Sequence, residues 1–119
     1  MKMDLSNILK SVDKPLRYTG GEWNSVVKDK ENLRFAFCFP DTYEIGMSHL
    51  GIKILYHMLN DINDVWCERV FAPWVDMEQL MRDNDIKLYG LESKDPIKDF
   101  DIIGFTLQYE MSYTNIVNM

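Results

Sequence analysis

An α/β domain built on an open parallel sheet is the fold this 119-residue sequence predicts, and three observations predict it. The first is a short apolar run, Leu33-Arg-Phe-Ala-Phe-Cys-Phe39, stopped by Pro40 and followed by a polar loop and a helical pattern. Strand, loop and helix in that order form the opening half of a parallel βαβ unit. The second is that helical and strand-like segments then alternate with short connections. The third is composition: 46% hydrophobic and 27% charged residues suit one soluble globular domain with its own core.

The elements follow in chain order. Leu5, Ile8 and Leu9 support one short helical turn. The rest of residues 1–32, broken by Pro15 and Gly20-Gly21, reads as an extended arm strapped over the domain proper at 33–119, with Tyr18 and Trp23 packed on it. The strand at 33–39 is apolar on both faces, as a central parallel strand should be. The helix after it begins near Met47 and sets Met47, Leu50, Gly51, Ile54, Leu55, Met58 and Ile62 on one apolar stripe. Gly51 on that stripe predicts a close approach to the sheet.

A second strand, Val65–Phe71, follows the turn at 60–64. Pro73 suits the first turn of the next helix, with Asp76 and Glu78 near its positive end. Trp74, Met77, Leu80 and Met81 form its apolar face, and Asn84 and Asp85 end it. A third strand is expected at Lys87–Leu91 and a fourth at Ile102–Leu107, where Gly104 signals close approach by a backbone or ligand. Ser112–Met119 reads as a helix just starting. This order is that of a Rossmann or flavodoxin-like sheet, a class that usually has five strands. The domain is therefore expected to be truncated at the C-terminus, and its open edge invites self-association.

Ligands of such sheets sit outside the carboxyl ends of strands, and two segments lie there. One is the loop and helix start holding Pro40, Asp41, Thr42, Tyr43, Glu44, Gly46, Met47, Ser48, His49 and Gly51. It offers carboxylates, an aromatic plane and a histidine beside a helix N-terminus. An ordinary connection, capped by Asp41 or Thr42, is the competing reading. The other segment holds Thr106, Gln108, Tyr109 and Glu110, expected beside the first loop at the same edge; there the competing reading is plain capping by Ser112. Neither is a glycine-rich phosphate cradle or a P-loop.

Several chemistries are excluded. The net charge of −6 argues against a nucleic-acid surface. No apolar run approaches the roughly 20 residues of a membrane span, and no signal-peptide pattern opens the chain. Cys38 and Cys67 read as reduced core thiols, as expected of a cytoplasmic protein, and His49 and His57 make no metal site by themselves. Asp76, Glu78, Asp83 and Asp85 read as a solvated acidic face. A two-component receiver domain would need an acidic pair after the first strand, where Asp41 stands alone.

Five blocks in order carry a resemblance to a known family: Lys14-Pro-Leu-Arg-Tyr-Thr-Gly-Gly-Glu22, Phe39-Pro-Asp-Thr-Tyr-Glu-Ile-Gly-Met-Ser-His-Leu-Gly51, Arg69-Val-Phe-Ala-Pro-Trp74, Leu91-Glu-Ser-Lys94 and the stretch Asp101–Asn115. Together they resemble the N-terminal region of bacterial radical S-adenosylmethionine (SAM) proteins, iron–sulfur oxidoreductase-like, that carry a cobalamin-binding-like domain. The resemblance implies a flavodoxin-like domain followed, in the same parent chain, by a radical SAM barrel as its partner. In that barrel a Cys-x-x-x-Cys-x-x-Cys motif binds the 4Fe-4S cluster that cleaves SAM. The motif is absent from this chain, which is therefore expected to be non-catalytic by itself.

For this domain the resemblance implies cobalamin as cofactor. Family domains with a histidine axial ligand carry Asp-x-His-x-x-Gly, whereas Met47 stands here at the aspartate position and Gly51 comes one place early. The implied cobalamin would thus bind without a histidine axial ligand. The alternative is a docking module that has lost the cofactor and binds the rest of its own chain.

Overall fold

The structure is a computed structural model that describes residues 2–29, 32–107 and 112–119. Its elements are α1 (Lys2–Leu9), β1 (Leu33–Phe39), α2 (Tyr43–Met47), α3 (Leu50–Asn60), β2 (Val65–Phe71), α4 (Val75–Asp83), β3 (Ile102–Phe105) and α5 (Tyr113–Asn118). The described strands form one open, all-parallel sheet in the order β2-β1-β3, a Rossmann or flavodoxin-like arrangement. Leu33 stands opposite Val65 and Phe39 opposite Phe71; on the other side Phe35 faces Ile102 and Cys38 faces Phe105.

Side chains alternate between the two faces of a strand, and each face has its own core. On one, Phe37, Phe39, Cys67 and Phe71 pack with Ile52 and Tyr56 of α3. On the other, Ala36, Cys38 and Val70 pack with Phe100, Leu88, Ile97 and Met119, so the crossover from β2 to β3 covers that side. A third cluster, Ile8, Val12, Tyr18, Met77, Met81 and Tyr89, fastens α1 and the arm to α4. Cys38 and Cys67 are free and fully buried, and burial pushes both thiols up to about 12.

The helix after β1 is broken at Ser48-His49 into α2 and α3. This changes the buried face. Ile52, Tyr56 and Asn60 meet the sheet, while Leu50, Ile54, Leu55, Met58 and Ile62 of the expected stripe are exposed. Tyr56 and Asn60 can hold buried positions because their polar atoms are satisfied there. The Tyr56 hydroxyl donates to Glu92 and accepts from the Val26 amide, and the Asn60 amide group bridges the N–H and C=O of Cys67.

The glycines are used differently from expectation. A Cβ on Gly51 would meet the His49 ring, not the sheet. Close approach occurs instead at Gly46, where a Cβ would overlap the Phe71 ring, and the neighbour of Gly104 within the protein is the Phe35 ring.

The expected strand at 87–91 does not form. The segment reaches β2 through the bond from the Leu91 amide to the Arg69 carbonyl (2.9 Å), and pairs back on its own continuation: the Gly90 amide donates to the Asp95 carbonyl (3.0 Å), the Ile97 amide to the Leu88 carbonyl (2.9 Å), and Tyr89 and Pro96 form an antiparallel bridge. The chain turns back at once, with Lys94 at φ 65°, to bring Glu92 and Ser93 inward. Pro73 precedes the α4 N-cap, Trp74, instead of lying in the first turn, and Trp74 is half exposed beneath the Arg17 guanidinium. Asp76 is no merely solvated carboxylate: it accepts from the amides of Asp13 and Met77. In the arm, Tyr18 is buried but Trp23 is 98% exposed. β3 ends at Phe105, two residues short of the expected strand.

Candidate functional site

The strand order places a topological switch point between β1 and β3. From β1 the chain leaves for β2 on one flank, then crosses back to β3 on the other. The crevice outside the carboxyl ends of such a strand pair is where sheets of this class bind ligands. Both candidate segments begin at this edge, since the Thr106 amide donates to the Cys38 carbonyl (3.1 Å) beside Pro40.

The loop after β1 is held from several directions. The Asp41 amide donates to the Phe39 carbonyl (2.8 Å), and the Asp41 carbonyl accepts from Ala72 at the end of β2 (2.9 Å). Asp41 Oδ1 accepts from the Thr42 amide (2.7 Å). Thr42 is the α2 N-cap without a side-chain cap bond; its carbonyl accepts from Gly46. The Pro40 carbonyl accepts from the Asn115 side chain (2.9 Å), which ties α5 to the same edge.

Farther along, the side chains are engaged within the domain. The Tyr43 hydroxyl donates to Glu22 (2.7 Å) and its ring stands edge-on to Phe71. Burial, then Glu22, pushes that hydroxyl up to about 12. Arg17 Nε donates to both oxygens of Glu44 (2.8 and 2.9 Å), with Lys14 at 3.7 Å. Slight burial opposes it, but the Arg17 bonds hold the Glu44 carboxyl below its ordinary value. Ser48 Oγ donates to the Glu44 carbonyl. His49 Nδ1 caps α3 by accepting from the Ile52 amide (3.3 Å), and its ring leans on Phe39. Gln108, Tyr109 and Glu110 lie outside the described residues.

Beneath α2 and α3 is a charged cluster that sequence reasoning missed. Arg69, in the middle of β2, donates to Glu92 (2.9 and 2.5 Å), Glu22 (2.6 Å) and Ser25 (3.0 Å), and lies over the Tyr56 ring. Burial pulls the guanidinium down, but Glu92, Tyr56 and Glu22 outweigh it and keep Arg69 above its ordinary value. Burial pushes the Glu92 carboxyl up, with Arg69 pulling the other way. Glu22 lies below its ordinary value: burial opposes this, but Tyr43 and Arg69 prevail. Met47, Ile52, Tyr56 and Arg69 line a cavity of about 220 Å³ with Glu22 and Trp23 of the arm.

On the opposite face Arg34 reaches Glu68 (2.5 Å), Ser93 (3.0 Å) and Asp95 (3.3 Å), its guanidinium held between the Trp66 and Phe100 rings at 4.5 Å from each. The signal for both clusters was in the sequence: Glu68-Arg69 interrupts an otherwise apolar strand.

These donors do not fit an iron–sulfur cluster. The two thiols are buried within separate strands, and among the described residues no group of three or more His, Cys, Asp or Glu could hold a metal. Nor does His49 fit a cobalt ligand through Nδ1, because that atom caps α3. Among the described residues no helix is long and apolar enough to cross a membrane.

Residues 51–119 match the family model for radical SAM proteins, N-terminal. The chain is also 30% identical over 84 residues to an uncharacterized protein of Methanocaldococcus jannaschii; the match takes in 71% of this chain and 15% of that protein. No solved structure matches significantly.

Proposed function

The chain belongs to the N-terminal family of radical SAM proteins, and from that premise we propose that it is a non-catalytic domain that holds a cofactor or substrate against the radical SAM barrel of its parent chain. The family implies a 4Fe-4S cluster and SAM in the parent. The observation that carries the reading is the switch point between β1 and β3, with the loop at 40–51 and the segment from Thr106 side by side at the carboxyl edge. The described residues of the arm at 1–32 act as a strap on the domain at 33–119: Arg17, Glu22 and Lys28 bond to Glu44, Arg69 and the α3 C-terminus respectively.

Cobalamin is the cofactor we assign to that edge, held by the backbone and side chains of 40–51 and 106–110 without a histidine on cobalt. When bound it would supply a cobalt centre to the barrel. A second reading, a docking module with no cofactor, is favoured by one observation: Tyr43, Glu44 and His49 each spend a polar atom on a bond inside the domain.

Hydroxocobalamin mixed with the purified chain at high micromolar concentration, followed by gel filtration with absorbance detection, separates the two. The corrinoid reading expects comigration with a perturbed cobalamin spectrum. Elution of all corrinoid with the small molecules would contradict cofactor binding by this domain and leave the docking reading.

A further inference from the structure

Among the described residues β3 lies at an edge of the sheet, yet it lacks the character of an edge strand. Edge strands are ordinarily shielded by charges, proline or a bulge, yet Ile102-Ile-Gly-Phe105 has none of these and is followed by Thr106 and Leu107. Ile102, Ile103 and Phe105 are 44%, 43% and 36% exposed. Beside β3, on the α3 side, Leu55, Met58 and Ile62 line an apolar groove of about 300 Å³ with Phe35, Gly104 and Phe105. A strand apolar on both faces suits the interior of a parallel sheet.

The handedness of the connections says what belongs there. The crossover from β1 to β2 passes over the α3 face, and the one from β2 to β3 passes over the opposite face, where Phe100, Leu88 and Ile97 pack. Right-handed crossovers on opposite faces move in opposite directions, which gives the order β2-β1-β3. After β3, α5 returns to that second face: Met119 joins the cluster of Ala36, Cys38 and Phe100, and Asn118 bonds Glu78 and Arg82 of α4. A right-handed connection through α5 must therefore deliver the chain to the free edge of β3, away from β1.

We propose that the stretch of the parent chain directly after α5 forms a fourth parallel strand on the free edge of β3, its inward side chains closing over the groove beside Gly104. The matched span is 15% of the Methanocaldococcus relative, and the family model describes an N-terminal region, so a parent chain of this kind has a continuation to supply the strand. A second copy of the domain pairing through the same edge is the competing occupant.

Hydrogen exchange on the full-length parent, at two protein concentrations, tests this. The peptide 102–107 should exchange within about tenfold of the central strand peptide 33–39, and equally at both concentrations. Exchange of 102–107 at the rate of the exposed arm around Trp23, while 33–39 stays protected, would overturn the proposal. So would protection that appears only at the concentration where the parent dimerises, which would assign the edge to a second copy.

Discussion

β2 and β3 flank the same central strand, yet their chemistry and burial are reversed. β2 carries two full charges, Glu68 and Arg69, and is buried from Trp66 to Phe71; β3 carries none and is exposed along most of its length. The difference lies in what each flank has been given. Beyond β2, the chain at 91–93 supplies the Leu91 amide to the Arg69 carbonyl, the Glu92 carboxylate to the Arg69 side chain and amide, and the Ser93 amide and hydroxyl to Glu68. Buried charge is tolerable only when paired and hydrogen-bonded in this way. No such company reaches the outer side of β3 among the described residues. Polarity alone therefore does not tell which flanking strand is buried; the partners do.

Breaking the pairing on β2 should have the largest effect. Glu68→Ala strands Arg34 between two rings with its main carboxylate gone, and loss of one partner of a buried pair costs about 3–5 kcal/mol. Urea denaturation should show that loss as a large drop in midpoint. An effect below about 1 kcal/mol would mean that Asp95 and Ser93 suffice, and that the pairing is not what lets β2 be buried.

A smaller effect sharpens the role of the arm. The Glu22 carboxyl is held below its ordinary value, so its contribution is present above the unfolded value and lost as pH falls through the folded one. The stability gap between the wild type and Glu22→Gln should thus narrow as pH drops from about 6 to about 3. A gap independent of pH would show that Glu22 acts through packing and not through its charge.

The sheet was legible in the sequence because its signals are local: a seven-residue apolar run, Pro40 as a stop, a second run at 65–71. The position of the candidate edge followed from strand–loop–helix order alone. What could not be read depends on contacts distant along the chain. The buried face of α3 turned on Tyr56 and Asn60, polar residues whose partners, Glu92, Val26 and Cys67, only the fold brings near. The segment 87–91 had strand-like residues but is consumed in turning Glu92 and Ser93 inward. Trp23 looked like an anchor by composition, yet Lys28 and Val26 hold that part of the arm instead, through the end of α3, Tyr56 and Trp66. At the site, Tyr43 and Glu44 were visible as polar residues beside a pocket, but their engagement with Glu22 and Arg17 was not.

Under the proposed function, the carboxyl edge of this sheet, not its amino edge, faces the radical SAM barrel of the parent protein. A photo-cross-linking residue at Ile45, exposed on α2 at the carboxyl edge, can be set against one at Asp61, exposed at the far end of α3. Mass spectrometry of the irradiated full-length parent should find cross-links from position 45 to barrel peptides near the cluster cysteines, and none from position 61. Barrel cross-links from position 61 with none from position 45 would contradict the account.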